Sequence, residues 1–288
     1  MYSCTTLRSW RMTQVRLAIM SCAGGTGKST VATNLAYSLS CLGQSVCLID
    51  CDSNGTAALF TGLENPSAIG ETLVAALQSG FKGPWPLKPV WRDYGIEKVD
   101  AVLGGHFLNE GARQILKEPR AAYLLADAIE DAPLPHDVVI FDCPGTIEQF
   151  HQMVLPACNQ ILIVLKPDTK DINAGFGLIQ WIAEFSRDLR LKPKPKILGV
   201  QPNAFDKDAA MHRECLADGP GIEDSLPVVL RSLPEPIHVF PAIQQTRYLT
   251  NAGAVGLPLR LYRSDRTTWK IAGLFEALAK AVLEADHG

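Results

Sequence analysis

The sequence predicts an α/β fold in which a mostly parallel, twisted sheet is covered by helices on both faces. Two observations carry that expectation. Short, continuously apolar runs such as "VRLAIM" (15–20), "DVVIFD" (137–142) and "QILIVLK" (160–166) recur along the chain, separated by longer stretches with apolar residues at helical spacing. A strand apolar on both sides must be buried on both sides, which is the condition of a parallel sheet between two helix layers.

In chain order, "VRLAIM" reads as the first strand, followed by a glycine-rich loop and a helix over "STVATNLAYSLSCLG" that Gly43 stops. "SVCLID" (45–50) is the second strand, and "AIGETLVAALQSG" (68–80) has the spacing of a helix. "FKGPWPLKPVW" is a loop by composition, since proline fixes the backbone and removes ladder donors. Strand "EKVDAVLG" (97–104), helix "PRAAYLLADAIED" (119–131) and strand 137–142 come next. A helix near 147–157, strand 160–166 and helix "DINAGFGLIQWIAEFSRDLR" (171–190) follow. "PKILGVQPN" and "LPVVLRSL" read as the last strands, and "TWKIAGLFEALAKAVLEA" as a terminal amphipathic helix. No repeat or low-complexity tract interrupts the pattern, so residues 1–14 are expected to be an N-terminal extension and 15–288 a single domain.

Composition narrows the function classes. A chain with 47% hydrophobic and 20% charged residues is an ordinary globular protein, and its net charge of −3 argues against a uniformly basic nucleic-acid binder. No apolar run is long enough to cross a bilayer, and "MYSCTTLRSWRMT" lacks the apolar segment of a signal peptide, so a cytoplasmic location is expected. The eight cysteines, at 4, 22, 41, 47, 51, 143, 158 and 215, form no C-x-x-C pair and indicate neither a zinc nor an iron–sulfur site. Cys22, Cys51 and Cys143 adjoin the motifs described next, so thiol alkylation is expected to weaken ligand binding there.

"SCAGGTGKST" (21–30) has the make-up of a phosphate cradle. Gly24, Gly25, Thr26 and Gly27 let backbone N–H groups turn inward, and the N-terminus of the following helix adds its positive dipole end. Lys28 is placed to reach terminal phosphates, and Ser29, beside Thr30, to offer a hydroxyl to Mg²⁺. The general pattern G-x-x-x-x-G-K-S/T has its first glycine where this chain has Cys22.

Here the chain resembles the ParA/MinD ATPases. "AGGTGKST" is similar to their deviant Walker A loop, K-G-G-x-G-K-S/T, and "CLIDCDSNGTAALF" to the segment after their second strand. "DVVIFDCPGT" resembles their Walker B strand, and "FPAIQQTRYLTNAGAVGLPLRLY" their C-terminal stretch. The resemblance implies a P-loop NTPase fold with ATP and Mg²⁺ as cofactors. Lys28 would bind the β- and γ-phosphates, Ser29 and Asp142 would hold the metal, and Asp50 would support the metal's waters. Asp52 would position the attacking water, and Asn203 lies where the family reads adenine.

Ala23 departs from the pattern, because the family carries there a signature lysine that reaches the partner's nucleotide across the dimer. Either dimerisation around ATP is lost or another cation replaces it, and Lys166, at the end of strand 160–166, is the candidate. Among the family's branches, membrane-cycling members end in a basic amphipathic helix, unlike the acidic "AKAVLEADHG" here. Iron–sulfur carriers need paired cysteines, and the related tyrosine kinases a tyrosine-rich tail. Cargo-positioning members need a basic surface for non-specific DNA, for which Arg247, Arg260, Arg263, Arg266 and Lys270 are candidates, on one face if "RLYRSDRTTWK" is helical. The McdA branch, which spaces carboxysomes, includes members without the signature lysine, and plasmid or chromosome partition by ParA stands close behind. The expected partners are a second copy bound through ATP, non-specific DNA that makes the protein nucleoid-associated, and a cargo adaptor like McdB or ParB, with no membrane. A nucleotide-binding regulator with little turnover, or a small-molecule ligase of the same superfamily, is the alternative.

Overall fold

A computed structural model describes residues 14–115, 118, 120–145 and 149–285; residues 1–13 of the expected N-terminal extension lie outside the described residues. Seven strands make one sheet: β1 (Val15–Met20), β2 (Val46–Asp50), β3 (Lys88–Pro89), β4 (Val99–Val102), β5 (Val138–Asp142), β6 (Gln160–Leu165) and β7 (Lys196–Pro202). Their order is β3-β4-β2-β5-β1-β6-β7, and every pairing is parallel except that of β3 with β4.

Both faces of the sheet are buried, as the continuous apolar strands require. Along β1, Leu17 and Ile19 face one layer, where α1 (Lys28–Cys41) brings Leu35 and Leu39 and the C-terminal helix, Arg266–Glu284, brings Phe275 and Leu278. Ala18 and Met20 face the other layer with Phe141, Ile163 and Leu178. α1 ends where the sequence places its stop: Gly43 takes a φ of 89°, the left-handed region, and donates to Ser40 O at 3.0 Å.

Numbering on from α1, the described helices are α2 (Thr56–Thr61), α3 (Phe107–Ile115), α4 (Leu124–Asp131), α5 (Gln149–Ala157) and α6 (Thr169–Asp188). They continue with α7 (Ala210–Cys215), α8 (Leu226–Arg231), α9 (Arg247–Ala254), α10 (Leu259–Tyr262) and α11, the C-terminal helix already introduced. Of the helix expected near 147–157, residues 147 and 148 lie outside the described residues, as does Pro119 at the start of the helix expected over 119–131.

Three expectations are corrected. The helix over 68–80 is two short 3₁₀ turns, Ile69–Glu71 and Leu73–Ala75, because Thr72 between them bridges to Leu103 and Leu73 N–H donates to Leu103 O at 2.8 Å. Its apolar spacing still serves burial, since Leu73, Val74 and Leu77 enter the core. "LPVVLRSL" is helix α8, not a strand: Pro227 sits in the first turn, where its missing N–H is harmless, and Leu226 and Leu230 share the buried side four residues apart. The proline-rich loop holds edge strand β3 and two buried tryptophans, with Trp85 Nε1 donating to Ala132 O at 2.6 Å and Trp91 Nε1 to Gly256 O at 2.8 Å. No helix among the described residues is long and apolar enough to cross a membrane.

Candidate functional site

The order β2-β5-β1 brings three carboxyl ends side by side, and each carries part of the site. Asp50 and Asp142 end β2 and β5 as register partners, and Ile19 of β1 pairs with Asp142. Ligands of open parallel sheets gather at this edge. The loop after β1 runs into α1 through Gly27, which caps the helix at φ 87° without any side-chain hydrogen bond, so the first-turn N–H groups remain available to an anion. A cleft of about 560 Å³ opens here, with Gly24, Gly25, Gly27, Lys28, Ser29 and Thr30 as floor. Asp52, Ser53, Asn54 and Thr56 form one wall, Pro144 and Gly145 another, and Phe60 stands beside them.

Lys28 is buried, and its ammonium donates to Ser21 Oγ at 2.8 Å and to Ala23 O at 3.4 Å. Burial pushes its pKa down, while Asp142, Cys143 and Asp52 pull it back up. Asp142 is buried with neither carboxylate oxygen hydrogen-bonded, and burial pushes its carboxyl up to about 6 against the pull of the Ser29 hydroxyl and Lys28. Asp50 accepts Asp52 N–H at 3.0 Å on Oδ1 but has no partner on Oδ2. Burial, then the neighbouring Asp142 charge, holds the Asp50 carboxyl well above its usual range. Asp52 Oδ1 accepts both the backbone and side-chain N–H of Asn54 at 2.9 Å, which orients the carboxylate toward a fixed partner.

Asn203, at the end of β7, is nearly fully buried and donates from Nδ2 to Thr26 O at 2.7 Å, tying the loop to the sheet. A Cβ at Gly27 would lie 2.1 Å from that nitrogen, so Gly27 is required twice, by its left-handed backbone and by Asn203. Three orphaned carboxylate oxygens at adjacent strand ends, those of Asp142 within the influence of the Ser29 hydroxyl at the start of α1, fit a divalent cation, which would neutralise both aspartates. Among the described residues no group of three or more His, Cys, Asp or Glu can hold a metal by itself, so an ion here needs ligands from phosphate and water.

Ala23 offers only its carbonyl, to Lys28 and to Ser21 Oγ at 2.8 Å, and Gly145 packs so tightly that a Cβ there would lie 2.9 Å from Gly24 Cα. Lys166 follows β6 at the same sheet edge, half-buried, with its backbone N–H donating to Asp171 Oδ2 at 3.3 Å, and does not line the cleft. The sequence reading missed Ser21 and Asn54, the polar groups that hold Lys28 and Asp52. Their only signal was position, one just after a buried strand and the other in an Asp-x-Asn turn. Cys51 and Cys143 are core residues whose thiols burial pushes well up, whereas Cys22 is half-exposed, so of the three motif cysteines Cys22 is the one an alkylating reagent can reach in the folded protein.

The basic stretch is not one helix. α10 ends at Tyr262, Arg263 is extended, and Asp265 caps α11 through a reciprocal bond pair with Thr268. The cations still gather, around two aromatic rings: Arg247 and Arg263 lie 5.5 and 4.8 Å from the Tyr248 ring, and Arg260 lies 5.0 Å from Trp269. Arg263 also pairs with Asp265, while Arg266 and Lys270 flank Trp269 on the exposed first turns of α11.

A family model described as an AAA domain matches residues 15–194. Cell division protein PomZ of Myxococcus xanthus is 26% identical over 179 residues, 62% of this chain and 54% of PomZ, so the chain matches about half the length of that relative. Chromosome partitioning protein ParA of the same bacterium is 24% identical over 202 residues, 70% of this chain and 69% of that protein. The solved structure of apo McdA from Cyanothece superposes with a TM-score of 0.74 at 22% identity, over 94% of this chain and 100% of that one, a likeness of fold. Because the matched residues 15–194 make up more than half of the 288 and include the phosphate loop, Asp50 and Asp142, the chain belongs to the AAA domain family, and its relatives include ParA-type proteins.

Proposed function

We propose that the chain is an ATP- and Mg²⁺-dependent dimerising switch that binds DNA non-specifically in its ATP state, positions an intracellular cargo, and is released by hydrolysis that an adaptor stimulates. The observation that carries this reading is the pair of buried aspartates with unpartnered oxygens at the strand ends beside the phosphate loop, with Asp142 near Ser29 at the open N-terminus of α1. Mg²⁺, when bound, supplies charge neutralisation at the phosphates. Ser29 and Asp142 would hold it, Asp50 would support its waters, and the backbone from Gly24 to Thr30 would cradle the phosphates. Lys28 leaves Ser21 and Ala23 for the terminal phosphates. Asp52, fixed by Asn54, orients the attacking water; hydrolysis at this centre depends on a placed nucleophile more than on a strong base. Asn203 keeps its Nδ2 on the loop and offers Oδ1 to the adenine amino group.

Lys166 supplies the cation that Ala23 cannot. Arg247, Arg260, Arg263, Arg266 and Lys270 contact DNA phosphates, which places the protein on the nucleoid. The cargo is a carboxysome, as in the McdA branch, or a replicon, as the likeness to ParA supports, with an adaptor of the McdB or ParB kind. Mg²⁺-dependent turnover and elution volume, measured for the wild type and Asp52→Ala, test the reading. The variant is expected to bind ATP and remain a dimer without turning over; normal turnover in it removes Asp52 from the mechanism.

A further inference from the structure

The end of the sheet opposite the cleft carries a dense run of positive charge. Between the C-terminus of α6 and the start of β7, "RDLRLKPKPK" (187–196) exposes Arg187, Arg190, Lys192, Lys194 and Lys196 against one carboxylate, Asp188, in a chain of net charge −3. None of the five enters an ion pair among the described residues, whereas Arg263 in the C-terminal cluster is partly neutralised by Asp265. The frame is fixed. Tyr123 OH donates to Leu189 O at 2.8 Å, Leu191 N–H to Ser186 O at 3.0 Å and Lys196 N–H to Asn159 O at 2.9 Å, and Pro195 is buried.

Arg190 adds a second observation. It closes α6 in the left-handed region, at φ 54°, a position that favours glycine, so the chain keeps a cation where the backbone disfavours any side chain with a Cβ. The dipole of α6 accounts for cations at Arg187 and Arg190 but not for the three lysines beyond the helix. A surface of clustered, unpaired cations without base-reading side chains is what a phosphate backbone selects. A bilayer is disfavoured because no large hydrophobic residue is exposed within 187–196.

We infer that residues 187–196 contact the phosphate backbone of duplex DNA weakly and independently of nucleotide, a second surface that leaves a low residual affinity once hydrolysis has removed the ATP-dependent contact proposed above. Parallel strands put it at their amino ends, away from the cleft, so nucleotide state does not gate it. The test is binding of nucleotide-free protein to a labelled random-sequence duplex across a salt series, for the wild type and the triple variant Lys192→Glu, Lys194→Glu, Lys196→Glu. The wild type is expected to bind, and loss of three phosphate contacts reduces the slope of log affinity against log salt by about 2.7. ATP turnover stays unchanged. Arg190→Gly, which relieves the backbone, is expected to stay folded while reducing the slope by about 0.9. An unchanged slope in both variants overturns the inference, as does wild-type protein that binds only anionic lipid vesicles. Failure of the ATP-dependent switch reads differently: the increment on adding ATP is missing while the nucleotide-free binding remains.

Discussion

Gly27→Ala offers a quantitative probe of the loop. The new methyl meets two penalties: a left-handed backbone at φ 87°, worth about 1–2 kcal/mol for a residue with a Cβ, and a position 2.1 Å from Asn203 Nδ2. That side chain is buried and must leave Thr26 O, which strands a buried acceptor at about 1–3 kcal/mol. The single variant should therefore lose about 2–5 kcal/mol. In an Asn203→Ala background the hydrogen bond is already absent and the space is open, so only the backbone penalty remains. Urea unfolding of the four proteins of this double-mutant cycle measures the difference, expected to be a coupling of about 1–3 kcal/mol. If Gly27→Ala loses the same amount in both backgrounds, within about 0.5 kcal/mol, Asn203 does not hold the loop as described.

Other outcomes follow from single residues. Asp265 caps α11 and pairs with Arg263, and its hydrogen bonds hold its carboxyl down to about 2; because the folded pKa is depressed, its stabilisation is present above the usual carboxylate range and is lost as pH falls toward 2. Far-UV circular dichroism should show that loss in the wild type and a smaller one in Asp265→Ala. A thiol reagent should label Cys22 and Cys41 in the native protein but reach Cys51 and Cys143 only after unfolding, as mass spectrometry of the labelled peptides can establish. Lys166→Ala should abolish the ATP-induced dimer while leaving the monomer's own nucleotide affinity intact, and a dimer that persists by size-exclusion chromatography assigns the missing cation elsewhere.

The parts of the fold that the sequence displayed are those where local pattern and tertiary demand agree. Strands such as Val138–Asp142 are apolar throughout because both faces are covered, so they stand out, and an aspartate closing each of two adjacent strands already marked the cleft. Residues 226–233 misled because β-branched Val228 and Val229 resemble a strand, yet burial of Leu226 and Leu230 decided for a helix. Residues 68–80 misled in the opposite direction, since a backbone bond to Leu103 outcompeted helical propensity. Ser21 and Asn54 were hidden because their roles depend on where Lys28 and Asp52 fold, and the break at Arg263–Asp265 was hidden because a cap is recognised only once its helix start is known.

The proposed switch requires that nucleotide set oligomeric state and DNA affinity together. The most direct measurement is binding of purified protein to random-sequence duplex DNA with ATP, ADP or no nucleotide, with elution volume recorded in each state. A dimer and an increment in DNA binding are expected with ATP alone, both in the presence of Mg²⁺. A dimer with no increment in DNA binding would contradict the switch in favour of a ligase or a regulator, and the absence of both responses would mean that with Ala23 in place of the lysine the switch does not operate.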